Sequence, residues 1–269
     1  YRAYVGGTSG LIYGYVNDGF YTVADFESFD SKSRTWKLKE GVVDSSPLSD
    51  TPRPGNAKFK KLTPVDPNST NPYQLTEADR TVIGNTTPKF SGGFGLNATY
   101  KGFDMSMFFN FMYDFDVLNA NKIMLTTWAD NKENNFLMDI ASDKRWRNFD
   151  DMGNEIRYSP EVLAEFNKNA TMWNPTSIGR PICMSYAVED GSFLRLNSAT
   201  LGYTLPSVWT KKVGLSKVRF YVSGNNLFTL TGYSGYDPEV NIATGLTPNI
   251  DYDRYPRSRT YTFGAQLTF

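Results

Sequence analysis

The sequence predicts an all-β fold: the C-terminal part of a transmembrane antiparallel β-barrel with long extracellular loops. Three observations carry this. Several segments alternate strictly between apolar and polar residues. Those segments are longer than ordinary strands. The connections between them alternate between short and long.

The alternation is clearest at the end of the chain, SRTYTFGAQLTF (258–269). Tyr261, Phe263, Ala265, Leu267 and Phe269 fall on one side, and Thr260, Thr262, Gly264, Gln266 and Thr268 on the other. A period of two is a strand with one apolar and one polar face. The stretch FSGGFGLNATYKGFDMSMFFNFMY (90–113) repeats the pattern on either side of Lys101-Gly102, a two-residue hairpin turn. That turn sets Tyr100 opposite Phe103, Phe94 opposite Phe109 and Gly92 opposite Phe111. The other face then pairs Asn97 with Ser106 and Gly93 with Asn110, and lays Phe108 over Gly95.

Each arm of this hairpin has eleven residues. At about 3.3 Å per residue that is roughly 36 Å, or roughly 28 Å when tilted by about 40°, enough for the ~25 Å apolar band of an outer-membrane barrel. Soluble strands average about 5–6 residues. Segments 90–100, 103–113 and 259–269 reach the longer size. SFLRLNSATLGYTLP (192–206) adds a fourth, with Ala199, Leu201, Tyr203 and Leu205 outward and a bulge near Asn197. KVRFYVSGNNLFTL (217–230) adds a fifth, with Val218, Phe220 and Val222 outward against Arg219, Tyr221 and Ser223.

The connections are unequal. Lys101-Gly102 and 207–216 are short; 114–192 and 231–258 are long. Loops of that length are uncommon inside compact domains, whereas outer-membrane barrels pair short periplasmic turns with long extracellular loops. Phe269 then ends on the periplasmic side, and residues 1–89 form an extracellular region with short strands ahead of barrel strands and loops in 90–269. Five strands cannot close a barrel, and an open edge in lipid leaves backbone groups unsatisfied. The expectation is therefore a piece of a larger barrel whose remaining strands lie upstream.

Composition excludes other classes. Lys plus Arg and Asp plus Glu both number 28, so net charge is zero. That balance argues against a nucleic-acid binder driven by phosphate neutralisation. Histidine is absent, which removes His-based relays and metal sites. The one cysteine, Cys183, reads as a small buried hydrophobe. Aromatics reach 15%, while mean hydropathy is −0.44. No apolar run reaches the ~18 residues of a membrane helix, and Tyr1 opens no signal peptide. Adjacent acids such as Asp150-Asp151 and Glu189-Asp190 suit solvation better than catalysis, and no phosphate loop sits between strand and helix. The chain does not read as an enzyme and calls for no cofactor.

Five stretches resemble the C-terminal part of SusC/RagA-type TonB-dependent transporters. They are GLIYGYVNDGFYT (10–22), DRTVIGNTTPKFSGGFGLNATYKGFDMSMFF (79–109), EDGSFLRLNSATLGYTLP (189–206), RFYVSGNNLFTLTGYSGYDPEVN (219–241) and YPRSRTYTFGAQLTF (255–269). The resemblance implies a 22-stranded barrel with an N-terminal plug and a SusD-like surface lipoprotein as lid. It also implies import of oligosaccharides or oligopeptides on energy passed through the TonB complex. Tyr261, Phe263, Leu267 and the terminal Phe269 resemble the signal read by the barrel-assembly machinery. Many members carry an Asp-x-Asn-x-Asp-Gly-like stretch before the DRTVIG motif. Here Asp66, Glu77 and Asp79 lack the spacing and glycine of a calcium loop, so no metal is expected.

The loop aromatics leave two readings open. Trp36, Trp128, Trp146, Trp173, Tyr233, Tyr236, Tyr252 and Tyr255 could build small cores under long loops, or offer rings to substrate. Trp128, Tyr233, Tyr236 and the acid Asp237 are the substrate-binding candidates. PEVLAEFNKN (160–169) predicts a short helix with Pro160 near its start. The alternatives to an importer are a passive pore or adhesin-like barrel, and a soluble β-sandwich lectin, which the strand lengths oppose.

Overall fold

The structure is a computed structural model and describes residues 1, 8–49, 51–127, 136–141, 143–240, 247–252 and 255–269. Two compact units divide the chain: Asn85–Val117 with Glu189–Phe269, and Tyr1–Gly84 with Leu118–Val188.

The first unit is built on five long antiparallel strands: β1 (Phe90–Tyr100), β2 (Phe103–Tyr113), β3 (Phe193–Thr204), β4 (Lys217–Thr231) and β5 (Thr260–Thr268). Their order across the sheet is β5-β4-β3-β2-β1, so each strand lies beside its sequence neighbour. The sheet is open, with β1 and β5 at its edges.

The hairpin register is the one that the alternation demands. Tyr100 faces Phe103, Phe94 faces Phe109, Gly92 faces Phe111 and Asn97 faces Ser106. The turn itself has φ +45° at Lys101 and +89° at Gly102. Two positive values are the type I′ geometry that matches the twist of the strands. Glycine is needed at the second position twice over, because a Cβ there would also lie 2.9 Å from the Thr204 carbonyl oxygen.

The expected bulge is present. Leu196 pairs with Phe109 but Ser198 pairs with Phe108, so Asn197 is the extra residue against β2. On the other side Leu196 pairs with Phe228 and Ser198 with Asn225, so β4 bulges at the same level. Asn226 takes φ +52° there, and its side-chain amide donates to the carbonyls of Arg257 and Ser258 at 3.1 and 3.3 Å. The paired bulges keep the apolar set on one face of both strands. The 207–216 connection, read from sequence only as a short basic turn, is helical: Ser207–Thr210, then a 3-10 turn over Lys211–Val213 closed by Gly214 at φ +74°.

The second unit has a core of the ordinary kind. Tyr15, Phe59, Leu75, Ile140, Trp173 and Met184 pack together although they are scattered along two stretches of chain. Its strands are short, such as Phe26–Asp30 against Thr35–Leu38 and Asn17–Phe20 against Ala57–Phe59. The expected helix spans Pro160–Phe166, with Pro160 in its first turn where a missing N–H costs nothing. Leu163 is its buried residue and packs with Trp146 and Ile156. Cys183 is half-buried and free, and burial raises the pKa of its thiol.

Candidate functional site

The sheet presents two unlike faces. One carries Phe94, Leu96, Phe103, Met107, Leu201 and Phe220, and ends on β5 with Tyr261, Phe263 and Leu267. This face is open: Phe220 is 51% exposed and Phe263 81%. Five strands about 4.8 Å apart, running about 30 Å, cover roughly 700 Å². Soluble monomers rarely leave more than a few hundred Å² of apolar surface in one patch. Hydrocarbon is the environment in which such a face costs nothing. The four residues Tyr261, Phe263, Leu267 and Phe269 all lie exposed at this edge.

The other face is polar and tied across strands. Arg219 on β4 reaches over Gly202 on β3 to Asp104 on β2, donating through Nε at 2.9 Å and through a second nitrogen to the other carboxylate oxygen. A Cβ on Gly202 would lie 2.4 Å from that guanidinium, so the glycine is what lets the arginine lie flat. Gly264 does the same for Tyr221, whose ring lies 5.2 Å from the Arg219 guanidinium carbon. The Thr200 and Ser223 hydroxyls bond at 2.9 Å. Phe108 also lies on this face: it pairs opposite Gly95, as the sequence pattern implies, and its ring tip reaches on to Gly93.

At the end of β4, the stretch 232–240 is latched to its surroundings. Tyr233 is only 6% exposed; it packs with Phe115, Val117, Phe193 and Val240, and its hydroxyl donates to Asp251 at 2.7 Å. Burial, and then that bond to a carboxylate, push its pKa above the usual tyrosine range. The Ser234 backbone N–H and hydroxyl donate to the Glu189 carboxylate at 2.9 and 2.8 Å. Asp237 accepts from the fully buried Arg195, from the Glu239 backbone N–H at 2.9 Å, and faces Arg257 at 3.6 Å. Glu239 closes the network with Arg257 at 3.1 Å and Arg195 at 3.5 Å. A buried arginine must be paired, and these two acids pair it.

The substrate-binding candidates therefore differ. Tyr233 and Asp237 hold the loop, with both the ring and the carboxylate engaged internally. Tyr236, at 80% exposed, is the one that keeps its ring free. Trp128 lies outside the described residues. Among the other loop aromatics, Trp146 and Trp173 are buried in cores, and Tyr252 and Tyr255 are exposed.

Sequence reasoning missed two things here. Arg195 was unmarked, because its acids lie some forty residues downstream. Asp79, which the sequence offers only as a poor metal ligand, organises a turn of the second unit. It is fully buried and accepts from Leu62 N–H (2.8 Å), Thr63 N–H and Oγ1 (both 2.7 Å) and Thr76 N–H (2.8 Å), with the Lys61 ammonium at 3.5 Å. Burial opposes its ionisation, but these bonds outweigh that and hold its carboxyl well below the usual range. Both oxygens are already occupied by protein donors.

No family model matches the chain. The chain is 33% identical over 266 residues to the TonB-dependent receptor P3 of Formosa agariphila, covering 97% of itself and 22% of that relative. It is 36% identical over 88 residues to the TonB-dependent receptor SusC of Bacteroides thetaiotaomicron, 31% of the chain and 8% of the relative. It therefore spans about a fifth or less of the curated relatives it matches. Solved structures share its fold. The RagAB peptide transporter matches at TM-score 0.59 and 22% identity over 98% of this chain and 23% of that one. The RagAB peptide importer in its open-open state matches at TM-score 0.55 and 23% identity, over 96% and 22%.

Proposed function

The chain belongs, as a segment, to the SusC/RagA-type TonB-dependent receptors, outer-membrane β-barrel proteins of Gram-negative bacteria, and on that premise we propose that it forms part of an importer. The whole protein would carry oligosaccharides or oligopeptides inward on TonB-coupled energy, under a SusD-like surface lipoprotein. The observation that carries this is the 33% identity, over 97% of the chain, to a TonB-dependent receptor. The exposed apolar face fits it, because that face gives the segment a place in the membrane. The open edges at β1 and β5 would pair with further strands of the same protein, since a lone edge in lipid leaves backbone groups without partners.

In this reading residues 1–89 are extracellular and 90–269 supply barrel strands and loops, with Lys101-Gly102 and 207–216 on the periplasmic side. Tyr261, Phe263, Leu267 and Phe269 serve the barrel-assembly machinery. Tyr236 offers a ring to the passing substrate, held out by the latched stretch beneath it. Uptake tests the import claim: labelled oligosaccharide and oligopeptide pools are presented to cells with and without TonB. Loss of accumulation without TonB supports it, and unchanged accumulation identifies a passive pore. Cysteines replacing Tyr236 and Val208, both exposed, test the sidedness with an impermeant maleimide on intact cells. Labelling at 236 and not at 208 is expected.

A further inference from the structure

The second unit holds a feature that import by itself does not call for. Two adjoining cavities share Asn148, Arg157 and Thr176 in their walls. The larger is about 490 Å³, within the range of small-molecule sites, and the smaller about 80 Å³. Between them they are lined by Arg34, Arg53, Arg145, Arg147 and Arg157. Arg145 and Arg147 line the larger, Arg34 and Arg53 the smaller, and Arg157 both; in a chain that is neutral as a whole, that is a local concentration of guanidinium groups. Asp150 is the one acid in either lining among the described residues, and its carboxylate is bonded to the Met152 and Asn154 backbones and the Asn154 amide.

The arginines are only partly neutralised. Arg147 pairs with Asp151 and Arg157 with Glu155. Arg34 and Arg53 have no carboxylate partner among the described residues. Arg34 instead lies 4.8 Å over the ring of Tyr158, and Arg157 lies 5.4 Å over Phe149. A guanidinium over a ring can still turn its N–H edge to a planar anion.

A second, independent feature marks the same wall. Trp146 is almost fully buried and lines the larger cavity, yet its indole N–H has no hydrogen-bond partner among the described residues. Gly55, at φ +89°, fits against that indole so closely that a Cβ would lie 2.2 Å from it. A buried unpaired donor is costly, and this one is closed off from the cavity, so it marks a tightly packed wall behind the lining.

We propose that this arginine-lined hollow binds an acidic oligosaccharide, with the guanidinium groups on its carboxylates or sulfate esters. The neutral part of the wall favours a sugar over a peptide. Asn56, Asn148, Thr176 and Ser177 bring amides and hydroxyls suited to ring hydroxyls. Among the described residues, Leu163 and two prolines are the only aliphatic lining residues, which leaves little for apolar peptide side chains. The proposal rests on the import reading and names a substrate class for it.

The test uses the full-length transporter purified in detergent, with binding measured by calorimetry. The probes are tetragalacturonate, a sulfated galactan tetrasaccharide, neutral maltotetraose and tetraglutamate. At least one anionic sugar should bind, weaken as salt rises, and outcompete maltotetraose. Arg34→Gln and Arg157→Gln should each weaken that binding roughly tenfold, as expected for one charged hydrogen bond. Arg34 is exposed, so its variant separates a lost contact from a lost fold. Binding of carboxylate but not sulfate sugar, or the reverse, identifies which anion is read, and either supports the proposal. Binding of neither anionic sugar, equal binding of maltotetraose, stronger binding of tetraglutamate, or indifference to both substitutions overturns it. TonB-dependent uptake is scored separately in the same strains. Uptake that persists while both anionic sugars fail to bind rejects this inference and leaves the import reading standing.

Discussion

The two units treat their aromatic residues in opposite ways. In the unit of Tyr1–Gly84 and Leu118–Val188, Tyr21, Phe59 and Trp173 are buried, as in any water-soluble core. In the unit of five long strands, Phe94, Phe220 and Phe263 stand on an open face, while Arg219, Asp104 and Thr200 bond across the other. Aqueous folding rewards the first arrangement and penalises the second. One chain therefore carries two regions made for two solvents, and each can be disturbed without the other.

The largest effect should come from the water-soluble core. Trp173 packs edge-on to Tyr186 at 4.7 Å, and its indole N–H donates to the Thr126 carbonyl oxygen at 3.3 Å. Trp173→Ala should cost roughly 3–5 kcal/mol. Limited proteolysis should then cut within 1–84 and 118–188, while heat-modifiable migration of the barrel stays normal. Loss of the barrel band as well would break the comparison.

Next comes a charge on the open face. Phe220→Lys should cost roughly 2–4 kcal/mol if it sits near the bilayer midplane and lower the barrel's level in the outer membrane severalfold. Thr262→Lys, on the polar face of the neighbouring strand, should leave that level nearly unchanged. Equal losses from the two would mean the faces are not distinguished by lipid.

These contrasts were unequally legible in the sequence. The strands could be read because period two is a local signal, and a two-residue turn fixes the register of a hairpin. The Phe94–Phe109 pair and the bulge at Asn197 follow from counting along the chain. The core of the second unit could not be read that way. Tyr15, Leu75, Ile140 and Met184 meet only after long stretches of chain fold back, and no period links them. The same holds for the latch of Arg195 with Asp237 and Glu239, and for the arginine hollow. Each of its arginines looks, in sequence, like an ordinary solvated charge. Tyr233 and Tyr236 show the limit most sharply: three residues apart in one loop, one is core and the other is open.

A smaller effect sharpens the comparison within the water-soluble unit. Asp79→Asn should cost roughly 1–3 kcal/mol, because two or more buried donors lose a charged acceptor. The carboxyl of Asp79 is held below its unfolded value of about 3.9. Its contribution is therefore complete above that value and fades only as pH falls through the lower folded one. Hydrogen-exchange protection at Leu62 and Thr63 should persist at pH 5 in the parent and be reduced in the variant at the same pH. The smallest effect is expected at Tyr236. Tyr236→Ala should change stability by under about 0.5 kcal/mol and weaken uptake without lowering barrel abundance.

The central claim is that alternate residues of β5 meet different solvents. Spin labels at Phe263→Cys and Thr262→Cys, in the full-length protein reconstituted in a bilayer, read that difference between adjacent positions. Residue 263 should show high accessibility to oxygen and low accessibility to a water-soluble nickel chelate. Residue 262 should show the opposite preference. Equal accessibilities, or a nickel preference at 263, would contradict the assignment of the apolar face to lipid.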